Sequence, residues 1–207
     1  MTAPRKAPPA VPGPDRVGEL TVRPATSADI DVIARIHTAA RSAYYRGFVP
    51  EENLADPAAE ERRRGLYALR MADPRHTMLC AEAGPEVAGF VILGPPHEPT
   101  PDPDVTGELL QIHVRPDRWR RGIGSALHRA SVGVWQAASV TTARVSVWAR
   151  NDPGRAFYAS HGWRPDGHRR AGPAGFDFLR LVLSVPPGLT IPRAPDMARL
   201  DSPSVPG

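Results

Sequence analysis

Residues 114–127 read VRPDRWRRGIGSAL. Arg115, Arg118, Arg120 and Arg121 crowd around Gly122 and Gly124, a concentration of like charge that costs free energy unless an anion answers it. The two glycines let a backbone approach that anion without a Cβ in the way. A helix beginning directly after the loop leaves its first N–H groups unpaired and points its positive dipole end the same way. Arginines add charge-assisted hydrogen bonds to phosphate oxygens. The chemistry of the stretch is therefore that of a phosphate cradle. It is not a P-loop, because Gly124 is followed by Ser125 and Ala126 with no lysine, and it lacks the third glycine of a dinucleotide fingerprint, since Leu127 stands there. Taken by itself, the loop also reads as a basic surface turn leading into a helix.

Other reactive side chains are scattered. His37, His76, His97, His128, His161 and His168 show no metal-ligand spacing, so no metal is expected. His113 lies in an apolar run, where a histidine is more often a packed or edge residue than a base. Cys80 is the single cysteine, which rules out a disulfide within the chain and fits a reducing compartment. Arg62, Arg63 and Arg64 read as a solvated helix face.

These residues need elements to position them. A short alternating strand over 20–23 leads to a capping-box pattern, Thr26 to Asp29, and a helix over 27–41 with Ile30, Ile33, Ile36 and Ala40 on one face. Asp56 and Pro57 start a second helix, reaching about 71. Apolar runs 78–83 and 87–93, separated by Gly84 and Pro85, read as a hairpin. A strand over 109–114 precedes the arginine–glycine loop. Ile123, Leu127, Ala130 and Val134 then mark a helix face. A strand over 143–149, a short helix opened by Asp152 and Pro153, and strands from 163 and over 176–185 complete the order β-α-α-β-β-β-α-β-α-β-β, a mixed α/β domain.

The chain has 207 residues, which suits one domain with tails. Its 25 prolines cluster: five fall in 4–14, five in 95–103 and six in 186–206. The ends, 1–18 and 186–207, read as disordered proline-rich tails around a domain at 19–185, and 95–103 as a loop. The formal charge of +4 comes from arginine. It permits nucleic acid as a partner, but the arginines sit in one loop rather than along a face and no recognition motif accompanies them, so none is expected. Residues 1–18 lack an apolar signal core, and no run approaches the ~20 apolar residues that span a bilayer. A cytoplasmic protein without membrane association is the expectation.

The run LLQIHVRPDRWRRGIGSALHRA, followed by ARVSVWARNDPGRAFYASHGW, resembles the GCN5-related N-acetyltransferase (GNAT) family. The first part is similar to that family's motif A, a strand, a Gln/Arg-x-x-Gly-x-Gly/Ala loop and a helix. The second is similar to motif B, a strand, an asparagine at the splay, and a helix ending in Phe157-Tyr158-Ala-Ser-His-Gly162-Trp163. Trp119 departs from the signature, standing where it has Gln or Arg. The resemblance implies a mostly antiparallel central sheet splayed between two parallel strands, and acetyl-CoA as cosubstrate.

By the same resemblance, Ile112, His113 and Val114 present backbone groups to the pantetheine arm. Arg120, Arg121, Gly122, Ile123, Gly124 and Ser125 hold the pyrophosphate, and Asn151 lies beside the arm. Asn151 and Tyr158 are seven apart, two turns along one helix face; Asn151 also suits simple helix capping. Acyl transfer requires a primary amine of pKa ~10 to lose a proton and benefits from a donor to the leaving thiolate. Tyr158 is the implied donor, with core packing as its alternative. Glu108, where histone-acetylating members carry a glutamate, is the leading base, with a solvated strand end as its alternative and His113 as its rival. Tyr44, Tyr45 and Phe48 fall where the family builds its acceptor pocket, with core packing as the alternative for each. The acceptor is an amine on a small molecule or a peptide, and a homodimer is compatible. A non-catalytic acyl-CoA-binding or sensor module on the same fold is the competing function.

Overall fold

A computed structural model describes residues 15–17, 20–54 and 56–188 of the chain. The elements, in order, are β1 (Asp15–Val17), β2 (Leu20–Pro24), α1 (Ile30–Tyr45), α2 (Pro57–Ala72), β3 (Thr77–Ala83), β4 (Glu86–Gly94), β5 (Thr106–Val114), α3 (Ile123–Ala137), β6 (Thr142–Trp148), α4 (Asp152–Ser160), β7 (Arg164–Arg170) and β8 (Phe178–Ser184). The strands form one sheet in the order β1-β2-β3-β4-β5-β6-β8-β7. Every neighbouring pair is antiparallel except β5 and β6.

Alternation along the central strands sorts the core into two layers. Phe90 and Ile92 of β4 pack with Ile33 and Ile36 of α1 and Tyr67 of α2. Val91 and Leu93 face the other way, toward Leu127 and Val134 of α3 and Tyr158 of α4. Ala143, Val145 and Val147 of β6 join this second layer, which turns Arg144 and Ser146 toward the α1–α2 side. Burying a Leu, Ile or Phe of this kind contributes roughly 1.5–3 kcal/mol.

The expected element order holds, with boundary differences. The segment read as a tail over 1–18 contributes β1, which pairs antiparallel with β2; residues 1–14 lie outside the described residues. At the other end Gln136 donates to the Pro186 carbonyl at 2.9 Å, and the rest of that expected tail, 189–207, is outside the described residues. The first helix starts at Ile30 rather than 27 because a 3-10 turn, Ser27–Asp29, precedes it. Asp29 accepts from the Thr26 N–H at 2.7 Å and from its hydroxyl at 2.9 Å. The same carboxylate takes both terminal nitrogens of Arg23 on β2 at 2.8 and 2.9 Å. Hydrogen bonding to Arg23 holds the Asp29 carboxyl down, to about 2, and ties the start of α1 to the sheet.

One break in the sheet matters for function. The parallel β5–β6 pairing covers Thr106↔Thr142 through Leu109↔Val145 and then stops. β5 continues to pair with β4 as far as Val114↔Gly89, with a register shift opposite Ile92 and Leu93 that leaves Leu110 as the extra residue. A bulge of this kind bends its strand. β6 stays with β8 up to Trp148↔Phe178, so the two parallel strands diverge.

Candidate active site

A cleft of about 1470 Å³ opens where β5 and β6 part. Its floor includes Ile112, His113 and Val114, whose edge toward β6 has no ladder partner among the described residues. One end is the turn into α3. Gly122 precedes the helix with φ +80°, and no side chain caps it. Arg120 is also left-handed, at φ 61°. Left-handed residues beside helical ones turn successive N–H groups into one concavity, an anion nest. Gly122, Ile123, Gly124 and Ser125 all line the cleft there. This backbone arrangement and the dipole of α3 suit a pyrophosphate.

The arginines divide. Arg120 lines the cleft and Arg121, expected to hold phosphate, is exposed and does not; the left-handed turn at Arg120 sends neighbouring side chains in different directions. Arg115 is ion-paired with Glu86 at 3.0 Å and Asp117 at 2.9 Å. Arg118 shares Glu86 at 3.2 Å. Part of the charge crowding is thus answered inside the protein, by an acid on the β3–β4 hairpin. Trp119, at the position of the signature's Gln or Arg, donates its indole N–H to the Val114 carbonyl at 2.8 Å and joins the cleft wall. It fastens the loop to the end of β5.

Gly124 serves packing. A Cβ there would lie 3.2 Å from the Phe157 ring, so its small size lets α3 approach α4, whereas a Cβ on Gly122 would meet nothing within 4 Å. Asn151 caps α4, accepting from the Gly154 N–H at 3.0 Å. It lines the cleft as well, so both expected roles are open to it.

Tyr158 projects from α4 on the α3 side, 7% exposed, against Phe157 and Trp163. Burial pushes its hydroxyl well above the ordinary phenol range, so it stays protonated. Glu108 pairs in register with Arg144 and therefore faces the α1–α2 side. It is buried, not a solvated strand end, and accepts from the His97 N–H at 2.6 Å. Glu108 and Tyr158 thus line one cleft from opposite faces of the sheet.

His113 stacks on His37, with ring centroids 4.5 Å apart. Burial pushes its pKa down to about 4, so the imidazole is neutral near pH 7. His37 is pushed down to about 2, again mainly by burial. The Tyr67 hydroxyl donates to Gln111 Oε1 at 2.8 Å and also meets His37 Nδ1. Its one proton being used on Gln111, His37 Nδ1 is the donor in that contact. This chain across α1, α2 and β5 was not visible in sequence, where its members are up to 74 residues apart (His37 to Gln111).

Of the three aromatics assigned to the acceptor pocket, Tyr44 and Phe48 reach the cleft, and Tyr45 does so while packing on Trp148. The loop after β4 was foreseen, but not its placement over the cleft. Glu98 takes Arg180 at 3.0 Å and His168 at 3.0 Å, and Thr100 takes Arg144 at 3.0 Å. The polar–apolar alternation over 142–147 was the available signal for Arg144. Among the described residues no cluster of three or more His, Cys, Asp or Glu could hold a metal, and no helix is long and apolar enough to cross a membrane.

Known proteins share this architecture. The fold is similar to an N-acetyltransferase from Staphylococcus aureus Mu50, with a TM-score of 0.66 and 18% identity over 82% of this chain and 100% of that one. It is similar to PaiA N-acetyltransferase from Thermoplasma acidophilum, solved with coenzyme A, with a TM-score of 0.64 and 16% identity over 78% and 97%. A ribosomal-protein-alanine N-acetyltransferase from Brucella melitensis gives a TM-score of 0.62 and 23% identity over 79% and 98%. Among curated proteins none matches significantly. The sequence profile of the acetyltransferase (GNAT) family matches residues 35–163, a span that runs from α1 through both flanks of the cleft to the end of α4. The chain belongs to the GNAT acetyltransferase family.

Proposed function

We propose that the chain is an acetyl-CoA-dependent N-acetyltransferase that moves the acetyl group to a primary amine by direct attack in a ternary complex. One observation carries this reading: the splayed β5–β6 pair joins an anion nest at α3 to a cleft lined by Glu108 on one side and Tyr158 on the other. The residues present fit the cosubstrate. The edge of 112–114, apart from the Val114 carbonyl that Trp119 occupies, can pair with an amide-bearing arm as one strand pairs with another. The N–H groups of Gly122 to Ser125, with Arg120, suit the pyrophosphate.

The chain's own groups divide the proton work. Glu108 takes the proton from the ammonium form of the acceptor, directly or through water. The freed amine forms the new C–N bond to the acetyl carbon as the C–S bond breaks. The Tyr158 hydroxyl gives its proton to the departing thiolate, and the second proton shed by the attacking nitrogen passes through water to restore the hydroxyl. The hydrogen bond from His97 N–H fixes the Glu108 carboxylate, and the neutral His113 adds no cation of its own to repel the incoming ammonium.

The test is CoA release from acetyl-CoA in a panel of small amines and peptide amines, with acetyl-CoA binding measured in parallel. Binding with amine-dependent release is the expected result. Binding without release to any amine would point to the non-catalytic acyl-CoA module, and absence of binding by folded protein would remove the function altogether.

A further inference from the structure

The acceptor side of the cleft carries more positive charge than its acids answer. Arg144 on β6, Arg180 on β8 and Arg170 on β7 line it from three adjacent strands. They lie on the α1–α2 side of the sheet: Arg144 alternates with the inward Ala143 and Val145, Arg180 stands opposite Ser146, and Arg170 opposite Phe178, itself the partner of Trp148. Two carboxylates line the same cleft, Glu98 and Glu108. Glu98 is taken by Arg180 and His168, and Arg180 also holds Asp166 at 2.6 Å. Glu108 is held by the His97 N–H.

That leaves Arg144 and Arg170. Arg144 spends one nitrogen on Thr100, while its Nε and Nη1 are buried with no partner among the described residues. A guanidinium stays charged at any working pH, and a buried charge without a counter-charge is costly. Arg170 lies over the Phe178 ring at 4.7 Å, with no acid partner among the described residues. Arg150, two residues past β6, likewise lies over rings, 5.0 Å from Phe48 and 5.1 Å from Phe176, with no acid partner among the described residues. The phosphate nest is at the α3 turn, on the other side of the sheet opening.

We propose that the acceptor is a small amine that carries a carboxylate, with Arg144 and Arg170 as the residues that select it. This rests on the acetyltransferase reading above. The carboxylate answers the unpaired guanidinium under the 95–105 loop, and the amine then lies toward Glu108, the register neighbour of Arg144. Charge-assisted bonds of this type are worth about tenfold or more in affinity.

Matched amine pairs test it: lysine against cadaverine, and phenylalanine against phenethylamine. In the wild type, kcat/KM for the carboxylated member should exceed that of its partner by about tenfold or more. In Arg170→Gln and Arg144→Gln the preference should fall, through KM rather than kcat, with acetyl-CoA affinity unchanged. Arg170 is exposed, so its substitution is safe for folding where Arg144 is not. Equal or reversed preference in the wild type, a preference that survives both variants, or a drop in acetyl-CoA affinity in Arg170→Gln would each overturn the proposal. Calorimetric titration of the acetyl-CoA-loaded protein with glutarate, a dicarboxylate without an amine, reads the anion site independently of turnover. Binding lost in Arg170→Gln supports the site even if no amine is acetylated, in which case the acetyltransferase reading fails alone. No glutarate binding to the loaded wild type overturns the site.

Discussion

At the residue scale the sharpest question is what Tyr158 does. Its ring packs on Phe157 and Trp163 and belongs to the core layer shared with α3, so a packing role is real. The residue also lines the cleft, and burial keeps its hydroxyl protonated. Tyr158→Phe separates the two, because the ring stays and only the hydroxyl leaves. The expected result is a fall in kcat of roughly 10²–10⁴-fold, the usual size of a general-acid contribution, with acetyl-CoA affinity and melting temperature little changed. The defect should shrink with a thioester whose thiol is more acidic, since that thiolate needs less help. Single-turnover measurement isolates the chemical step, and wild-type kcat there would make Tyr158 a core residue only. Tyr158 and Glu108 were legible because a family pattern marks their positions. Arg144 was not, because an unpaired guanidinium is defined by what surrounds it, here the 95–105 loop, and no local pattern states that.

At the scale of elements, the strand-loop-helix unit β5–α3 shows which part of a short signal the chain itself carries. The arginine–glycine loop was expected to hold phosphate with the N–H groups of the helix start, its arginines adding charge and both glycines allowing close approach. In the structure the backbone and the α3 terminus form the nest, Arg115 and Arg118 pair with Glu86, and Gly124 faces Phe157. The pairing with Glu86 joins residues 29 and 32 apart along the chain, and sequence spacing carries no trace of it. Element types, by contrast, were set locally by periodicity and caps, and their order survived. The two glycines give a direct check. Gly124→Val should destabilise the protein by about 1–3 kcal/mol through overpacking against α4, seen as a lower melting temperature without any ligand. Phe157→Leu in the same chain should recover part of the loss by making room. If Gly124→Val melts like the wild type and loses only CoA affinity, its side chain points into the phosphate site and the packing account is wrong.

At the scale of the whole molecule, the two layers of the sheet enclose three histidines that are neutral when folded. Burial is the main cause for each, pushing His113 and His128 down to about 4 and His37 to about 2. In the unfolded chain each titrates near pKa ~6.5. Above that pH neither state binds the protons, and the histidines leave stability unchanged. Below it the unfolded chain takes up protons that the folded one refuses, so stability falls by about 1.4 kcal/mol per pH unit for each fully titrating group. The loss continues to about pH 4, where His113 and His128 begin to protonate in place, and His37 extends it further. Asp29, held near 2 by Arg23, adds to the loss only below the ordinary Asp pKa of ~3.9. The melting temperature should therefore be nearly level between pH 7 and 8 and drop steadily from about 6.5 to 4. His128→Gln removes one titrating group and keeps an acceptor for the Trp163 indole N–H, which lies 2.9 Å away in the wild type. Its acid slope should be shallower by the share of one proton. A wild-type melting temperature that stays level down to pH 5 would mean that these imidazoles accept protons in the folded state at no cost, and that the interior around α1 and α3 is wetter than its packing indicates.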